Sequence, residues 1–156
     1  MNYFTSLTSD AESFFRKYKS EVFIVQPKID GEDLIVVRTK SGEVYAFNRY
    51  NTVYRDVPFL NYVPSTPIVL RGEMHVHNGS VYDIKKTLRF NPEHLYLAVH
   101  DILYLDGELT REPYSRRLEI LSNVFNRQTL GYQMSSKIRL IESKVISRNE
   151  IPVYFN

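Results

Sequence analysis

A β-branched run, Val22-Phe23-Ile24-Val25, leads into Gln26-Pro27-Lys28-Ile29-Asp30-Gly31, and a second apolar run, Leu34 to Val37, follows at once. Short runs of β-branched and aromatic residues around a proline, an acid and a glycine read as strand, tight turn, strand. This stretch constrains the chain most, because rigid backbone on both sides would hold one lysine at a fixed place. A lysine so held acts as a nucleophile when its amine is neutral and an electrophile arrives in line. Lys28 is therefore the candidate nucleophile. Asp30, two residues on, would share its strand face, and Gly31 permits both a turn and a close backbone approach.

The rest of the chain is rich in strands. Leu34 to Thr39 and Val44 to Asn48 are short and β-rich, with Lys40-Ser41-Gly42 as the turn between them. Ile68 to Val76 reads as another strand. The pair Asn78-Gly79 predicts a hairpin, with Val81 to Ile84 returning. Leu95 to Leu105 is apolar nearly throughout, as a buried strand would be, and Lys137 to Ile141 reads as a further strand. Helices flank these elements. Ser9-x-x-Glu12 forms a capping box ahead of Phe14, Phe15 and Tyr18, predicting a helix from about Asp10 to Lys19. Leu118, Leu121, Val124 and Phe125 lie at helical spacing on one buried face. Ser147-x-x-Glu150 offers a last capping box close to Pro152. The expectation is one domain over residues 1–156, mixed α+β, with antiparallel sheets and flanking helices.

Composition narrows the chemistry. The 156 residues include no cysteine, which removes a disulfide framework, thiolate metal sites and a cysteine nucleophile. A reducing compartment, the cytoplasm, is the expectation. No apolar run is long enough to span a membrane, and Met1-Asn2-Tyr3-Phe4 lacks the basic-then-apolar pattern of a signal peptide. The formal net charge of +2 permits nucleic-acid contact without requiring it.

Five blocks in order carry a family resemblance. They are Lys28-x-Asp30-Gly31, Arg49 after the third strand, Gly72-Glu73, His100-Asp101-x-Leu103-x-x-x-Gly107, and Pro113-x-x-Arg116-Arg117. Together they resemble the adenylation domain of ATP-dependent DNA ligases, and more broadly the covalent nucleotidyltransferases, which include RNA ligases and mRNA-capping enzymes. The last two blocks favour DNA ligases within that group. The resemblance runs from Val22 to Phe155 and implies the first part of a covalent nucleotidyltransferase (ATP-grasp-like) domain. The family's Glu-Gly-x-x-x-Lys strand and its final lysine-rich strand have no counterpart in the sequence.

The resemblance implies a role for each matching residue. Lys28 would take AMP from ATP as a phosphoramidate. Asp30 would sit beside the ribose, with Gly31 at the turn. Arg49 would contact ribose or phosphates. Glu73 would meet the ribose or help place Mg²⁺, a hard cation that prefers oxygen. Gln26 stands where many members carry a glutamate near the adenine edge. His100 replaces the Phe or Tyr that stacks on adenine; its plain alternative is a core histidine beside Asp101. The implied partners are ATP and nicked double-stranded DNA, with RNA as the acceptor in the alternative reading. A ligase-like binding fragment without catalysis is the other alternative. Arg116 and Arg117 would brace their helix or pair with acids, and Lys85-Lys86 is a solvated pair with DNA-backbone contact as the lesser option.

Four further positions depart from the family pattern. Asn48 and Asn51 replace a serine and a glycine around Arg49. Asp33 stands where an arginine is usual, and Arg71 where an aspartate is usual. A charge swap between Asp33 and Arg71 would compensate the last two.

Overall fold

The computed structural model describes residues 11–126 and 137–155. These divide into two compact units, one formed by residues up to Pro27 together with Glu142 onward, the other by Lys28–Ile141.

The first unit pairs β1 (Val22–Val25) with β8 (Lys144–Ser147), antiparallel, with Phe23 opposite Ile146. Helix α1 (Ala11–Lys17) places Phe14 against Phe23 at 5.1 Å and Tyr18 at 4.9 Å between ring centroids. Ser9, its expected cap, lies outside the described residues. Arg148 ties the unit together, its guanidinium donating to the carbonyls of Phe15, Tyr18 and Ser20. Ser147 Oγ lies 3.1 Å from the Glu150 carboxylate, and a 3₁₀ helix, Arg148–Phe155, follows.

The second unit holds a six-stranded sheet in the order β4-β3-β2-β5-β6-β7. Its strands are β2 (Glu32–Arg38), β3 (Val44–Phe47), β4 (Val53–Tyr54), β5 (Ile68–Val76), β6 (Leu95–Leu105) and β7 (Ile138–Leu140). All neighbours pair antiparallel except β6 and β7, which are parallel. The pleat sends alternate residues to opposite faces. Leu34 and Val36 of β2, Leu70 and Met74 of β5, and Leu97 and Val99 of β6 face a common core and are fully buried. Leu121, Val124 and Phe125 of α3 (Tyr114–Asn126) close that core, as their helical spacing requires. Phe59 and Leu60, from a 3₁₀ turn begun by Pro58, fill it further. Each fully buried side chain of this size contributes about 1.5–3 kcal/mol. Among the described residues no helix is long and apolar enough to cross a membrane.

Three expectations are corrected. β1 and β2 do not form a hairpin. Pro27 lacks an N–H, and the six-residue link is too long for a tight turn. β2 instead gains a seven-residue ladder with β5, and β1 pairs with β8. The strand expected after Asn78-Gly79 is also absent. A type I′ turn needs positive φ at both central residues, and Asn78 alone has it, at 57°. Ser80 and Asp83 instead cap each other reciprocally and start a 3₁₀ turn, Val81–Asp83, that runs into α2 (Ile84–Phe90). Ile84 and Leu88 give α2 its core contact, and the partner of β5 is β6. Finally, β7 joins in parallel where antiparallel pairing was expected. The expected hairpin β2–β3 does form, with Gly42 at φ 93°, a conformation that suits glycine.

Candidate active site

One face of β2 and β5 carries Asp33, Arg71 and Glu73. Asp33 of β2 lies directly opposite Glu73 of β5, and Arg71 shares their face two residues along. The ladder between β5 and β6 shifts register twice, between Val69 and Leu70 and between Arg71 and Gly72; at the second shift Gly72 pairs with Val99 and Arg71 with Asp101. His100 is the extra residue. A bulge of this kind bends its strand and re-aims a side chain. Because Ala98 pairs with Glu73, strand alternation puts His100 on the face of Asp33 and Glu73, and one ligand atom from each of these three residues lies within 4.8 Å of the others. The Tyr114 hydroxyl, at the start of α3, donates to the His100 carbonyl and holds the bulged backbone.

Two glycines let the strands and the lysine segment meet. A Cβ on Gly31 would stand 2.2 Å from the Met74 carbonyl oxygen and 3.1 Å from Cγ of Glu73. One on Gly72 would stand 2.7 Å from the Ala98 carbonyl oxygen. Neither glycine has positive φ; each is required by close approach. Gly31 thus seats the Lys28–Gly31 segment against the strand that bears Glu73. Lys28 and Asp30 are exposed there, and both act electrostatically on the Glu73 carboxyl.

The expected charge swap is present. Arg71 Nε donates to Asp33 Oδ1 at 3.1 Å and Arg71 Nη2 to Oδ2 at 2.6 Å. The fork is bidentate, the stronger form of such a pair, and its side chains are only 19% and 24% exposed. Burial pushes the Glu73 carboxyl up to about 7; Asp33 adds to this and Asp30 slightly, while Lys28 and Arg71 oppose it. Burial lowers the affinity of His100 for a proton, and Arg71 lowers it further, against a partial offset from Asp33 and Asp101. A neutral imidazole beside two carboxylates can donate a lone pair to a metal. Asp33 and Glu73 offer the oxygens that a hard ion such as Mg²⁺ prefers, whereas the imidazole fits a softer one better.

The other expected residues lie as follows. Arg49 is exposed just after β3 and bonds the Tyr50 hydroxyl at 2.9 Å. The departures around it are physically conservative. Asn51 adopts φ 63°, the left-handed conformation that glycine would take and asparagine tolerates. Buried Asn48 accepts from the amides of Tyr50 and Thr52 and donates to Glu32, which also receives the Tyr54 hydroxyl. Burial and Glu32 together raise the Tyr54 phenol above its ordinary range. Gln26 belongs to the first unit, where its amide donates to Ser143 Oγ at 2.8 Å. Arg117 binds Asp101 through both carboxylate oxygens, at 2.8 and 3.2 Å, and Arg116 pairs with Glu119, so both arginines have bracing roles.

Sequence reasoning missed the grouping of Asp33 and His100 with Glu73. The order of blocks signalled each residue singly, but the long-range pairing of β2, β5 and β6 that unites them has no local signal. It also missed an exposed stripe around α2. Tyr82, Lys85, Lys86, Arg89 and Phe90 recur at intervals of three and four, with Tyr82 90% and Phe90 63% exposed. Read as a strand, those residues would have fallen on alternate faces.

A family model described as ATP dependent DNA ligase domain matches residues 4–151. DNA ligase 4 of Gallus gallus is 29% identical over 146 residues, an alignment that covers 78% of this chain and 16% of that protein. The solved structure Pmar-Lig_Pre superposes on 92% of this chain with a TM-score of 0.64 and 17% identity, and this chain covers 35% of it. Mycobacterial DNA ligase D complexed with ATP and MES superposes on 80% of this chain with a TM-score of 0.59 and 21% identity, and this chain covers 41% of it. The fold is thus the mixed α+β fold of those ligase structures, over a fraction of their length.

Proposed function

This chain belongs to the ATP-dependent DNA ligase domain family, and on that premise we propose that it is the adenylating part of a ligase that seals nicked double-stranded DNA. The observation that carries the reading is the seating of the Lys28–Gly31 segment on the strand of Glu73, which only a glycine at position 31 allows. The neutral Lys28 amine attacks the α-phosphorus of ATP. An N–P bond forms, the bond to the β-phosphate oxygen breaks, pyrophosphate leaves, and the amine loses its proton to solvent. The AMP then passes to a 5′-phosphate oxygen of the nick, returning the amine. A 3′-hydroxyl next attacks that activated phosphate and AMP departs. Such phosphoryl transfer depends on position and on charge stabilisation.

Within the chain, Asp30 stands two residues from the nucleophile for the ribose, and Arg49 is exposed for ribose or phosphate. Glu73 supplies carboxylate oxygen to a divalent ion, which when bound would offset charge on the phosphates. The α2 stripe supports the acceptor reading: three exposed cations between two exposed aromatic rings suit a phosphate backbone and its bases. The test incubates the chain with radiolabelled ATP or GTP and then offers nicked DNA or nicked RNA. Label taken from ATP and passed to the 5′-phosphate of nicked DNA supports the reading. Label from GTP, or passed only to RNA, points to the capping or RNA-ligase chemistry instead.

A further inference from the structure

We propose that Asp33, Glu73 and His100 form one metal site whose imidazole selects a first-row transition ion, of the Mn²⁺ and Co²⁺ class, over Mg²⁺. The proposal deepens the reading of Glu73 as an ion ligand, and it changes the role of His100 from stacking on adenine to ligation.

Four observations carry it. The first is placement. Asp33 and Glu73 are direct cross-strand partners, and His100 lies on their face, two residues along β6 from the Ala98 that pairs with Glu73. Their ligand atoms already lie within 4.8 Å of one another, so modest side-chain rotations reach the roughly 3 Å between neighbouring ligands of an ion bonded at about 2.1–2.2 Å.

The second is unused capacity. Among the described residues neither the Glu73 carboxylate nor the His100 ring makes a hydrogen bond, although both are partly buried. Asp33 accepts one bond on each oxygen from Arg71 and keeps a lone pair on each. Arg71 then acts as the outer partner that fixes a ligating carboxylate in place.

The third is rigidity. All three residues stand on paired strands, and the Tyr114 hydroxyl pins the carbonyl of His100 from α3. A site on such elements loses little freedom when it closes on an ion.

The fourth is the donor set itself. Mg²⁺ favours oxygen and keeps several waters, whereas two carboxylates with one imidazole suit the later divalent ions.

The experiment titrates the purified chain, without nucleotide, with MnCl₂, CoCl₂ and MgCl₂ in turn. Calorimetry gives the affinities, and the visible absorption of bound Co²⁺ reports nitrogen ligation. Co²⁺ and Mn²⁺ should bind at least about ten-fold tighter than Mg²⁺. In His100→Phe, Co²⁺ affinity should fall by about 10–100-fold while that for Mg²⁺ changes little. Paramagnetic broadening by Mn²⁺ of the His100 ring signals in the unaltered chain serves should the variant misfold. Equal affinities for Co²⁺ and Mg²⁺, or His100 signals untouched by Mn²⁺, would overturn the proposal. Because no nucleotide is present, these outcomes are independent of whether Lys28 accepts AMP.

Discussion

Exchanging the charges of Asp33 and Arg71 tests the link from strand register to site electrostatics. At an effective dielectric near 20, two unit charges about 3.5 Å apart attract by roughly 5 kcal/mol before desolvation is counted. The pair is bidentate and only 19% and 24% exposed, so a net coupling of about 2–3 kcal/mol is expected after that cost. Arg71→Asp alone would set three carboxylates together, since Asp33 and Glu73 already face each other; the expected loss is about 3–4 kcal/mol. Asp33→Arg alone would put two guanidiniums in contact beside Glu73, with an expected loss of about 2–3 kcal/mol. The double exchange restores one attraction, in the polarity usual for the family, and should recover about 3 kcal/mol of the summed loss. Urea unfolding of all four proteins at pH 7, followed by circular dichroism, gives the cycle. Single losses that add to within about 0.5 kcal/mol in the double variant would refute the pairing as an energetic unit.

Three further outcomes are expected. The Glu73 carboxyl is raised from 4.5 to about 7, so the folded chain holds its proton over a window in which the unfolded chain releases it. That contribution is fully present below about 4.5 and is lost as pH rises through about 7. Glu73→Gln should then leave stability unchanged at low pH and raise it by about 1–2 kcal/mol at pH 8, after allowance for solvent screening; parallel stability–pH curves would contradict this. Gly31→Ala drives a Cβ to 2.2 Å from the Met74 carbonyl oxygen, and urea unfolding should show a loss of about 2–3 kcal/mol; a loss below about 0.5 kcal/mol would remove the close-approach argument. Reversing Lys85, Lys86 and Arg89 to glutamate should weaken DNA binding and flatten its salt dependence by about two to three counterions, read by titration at several salt concentrations. An unchanged slope would remove the α2 stripe from the DNA path.

The parts of the fold legible in the sequence were those set by local pattern. The β2–β3 hairpin was announced by Lys40-Ser41-Gly42, β6 by its continuous apolar run, and α3 by Leu118, Leu121, Val124 and Phe125. Long-range pairing was not legible. Nothing local to Val22–Val25 shows that its partner is Lys144–Ser147, because partner choice depends on chain closure over more than a hundred residues. The Asn78-Gly79 turn signal lost to the reciprocal cap of Ser80 and Asp83, a competing local interaction of similar strength. In the site, Asp33 and Arg71 were legible as a pair because their departures from the family pattern are opposite in charge. His100 was legible only as a substituted aromatic. Its place beside the two carboxylates comes from the pairing of β6 with β5, a long-range contact that local pattern does not encode.

Nucleotidyl transfer to Lys28 is tested most directly by intact mass after incubation with ATP and a divalent ion, beside Lys28→Ala, with peptide mapping of any product. A gain of one AMP, mapped to Lys28 and absent from the variant, is the expected result. An adduct on another residue, or one that persists in Lys28→Ala, would contradict Lys28 as the nucleophile. An unmodified chain under Mg²⁺, Mn²⁺ and Co²⁺ alike would contradict adenylation by these 156 residues.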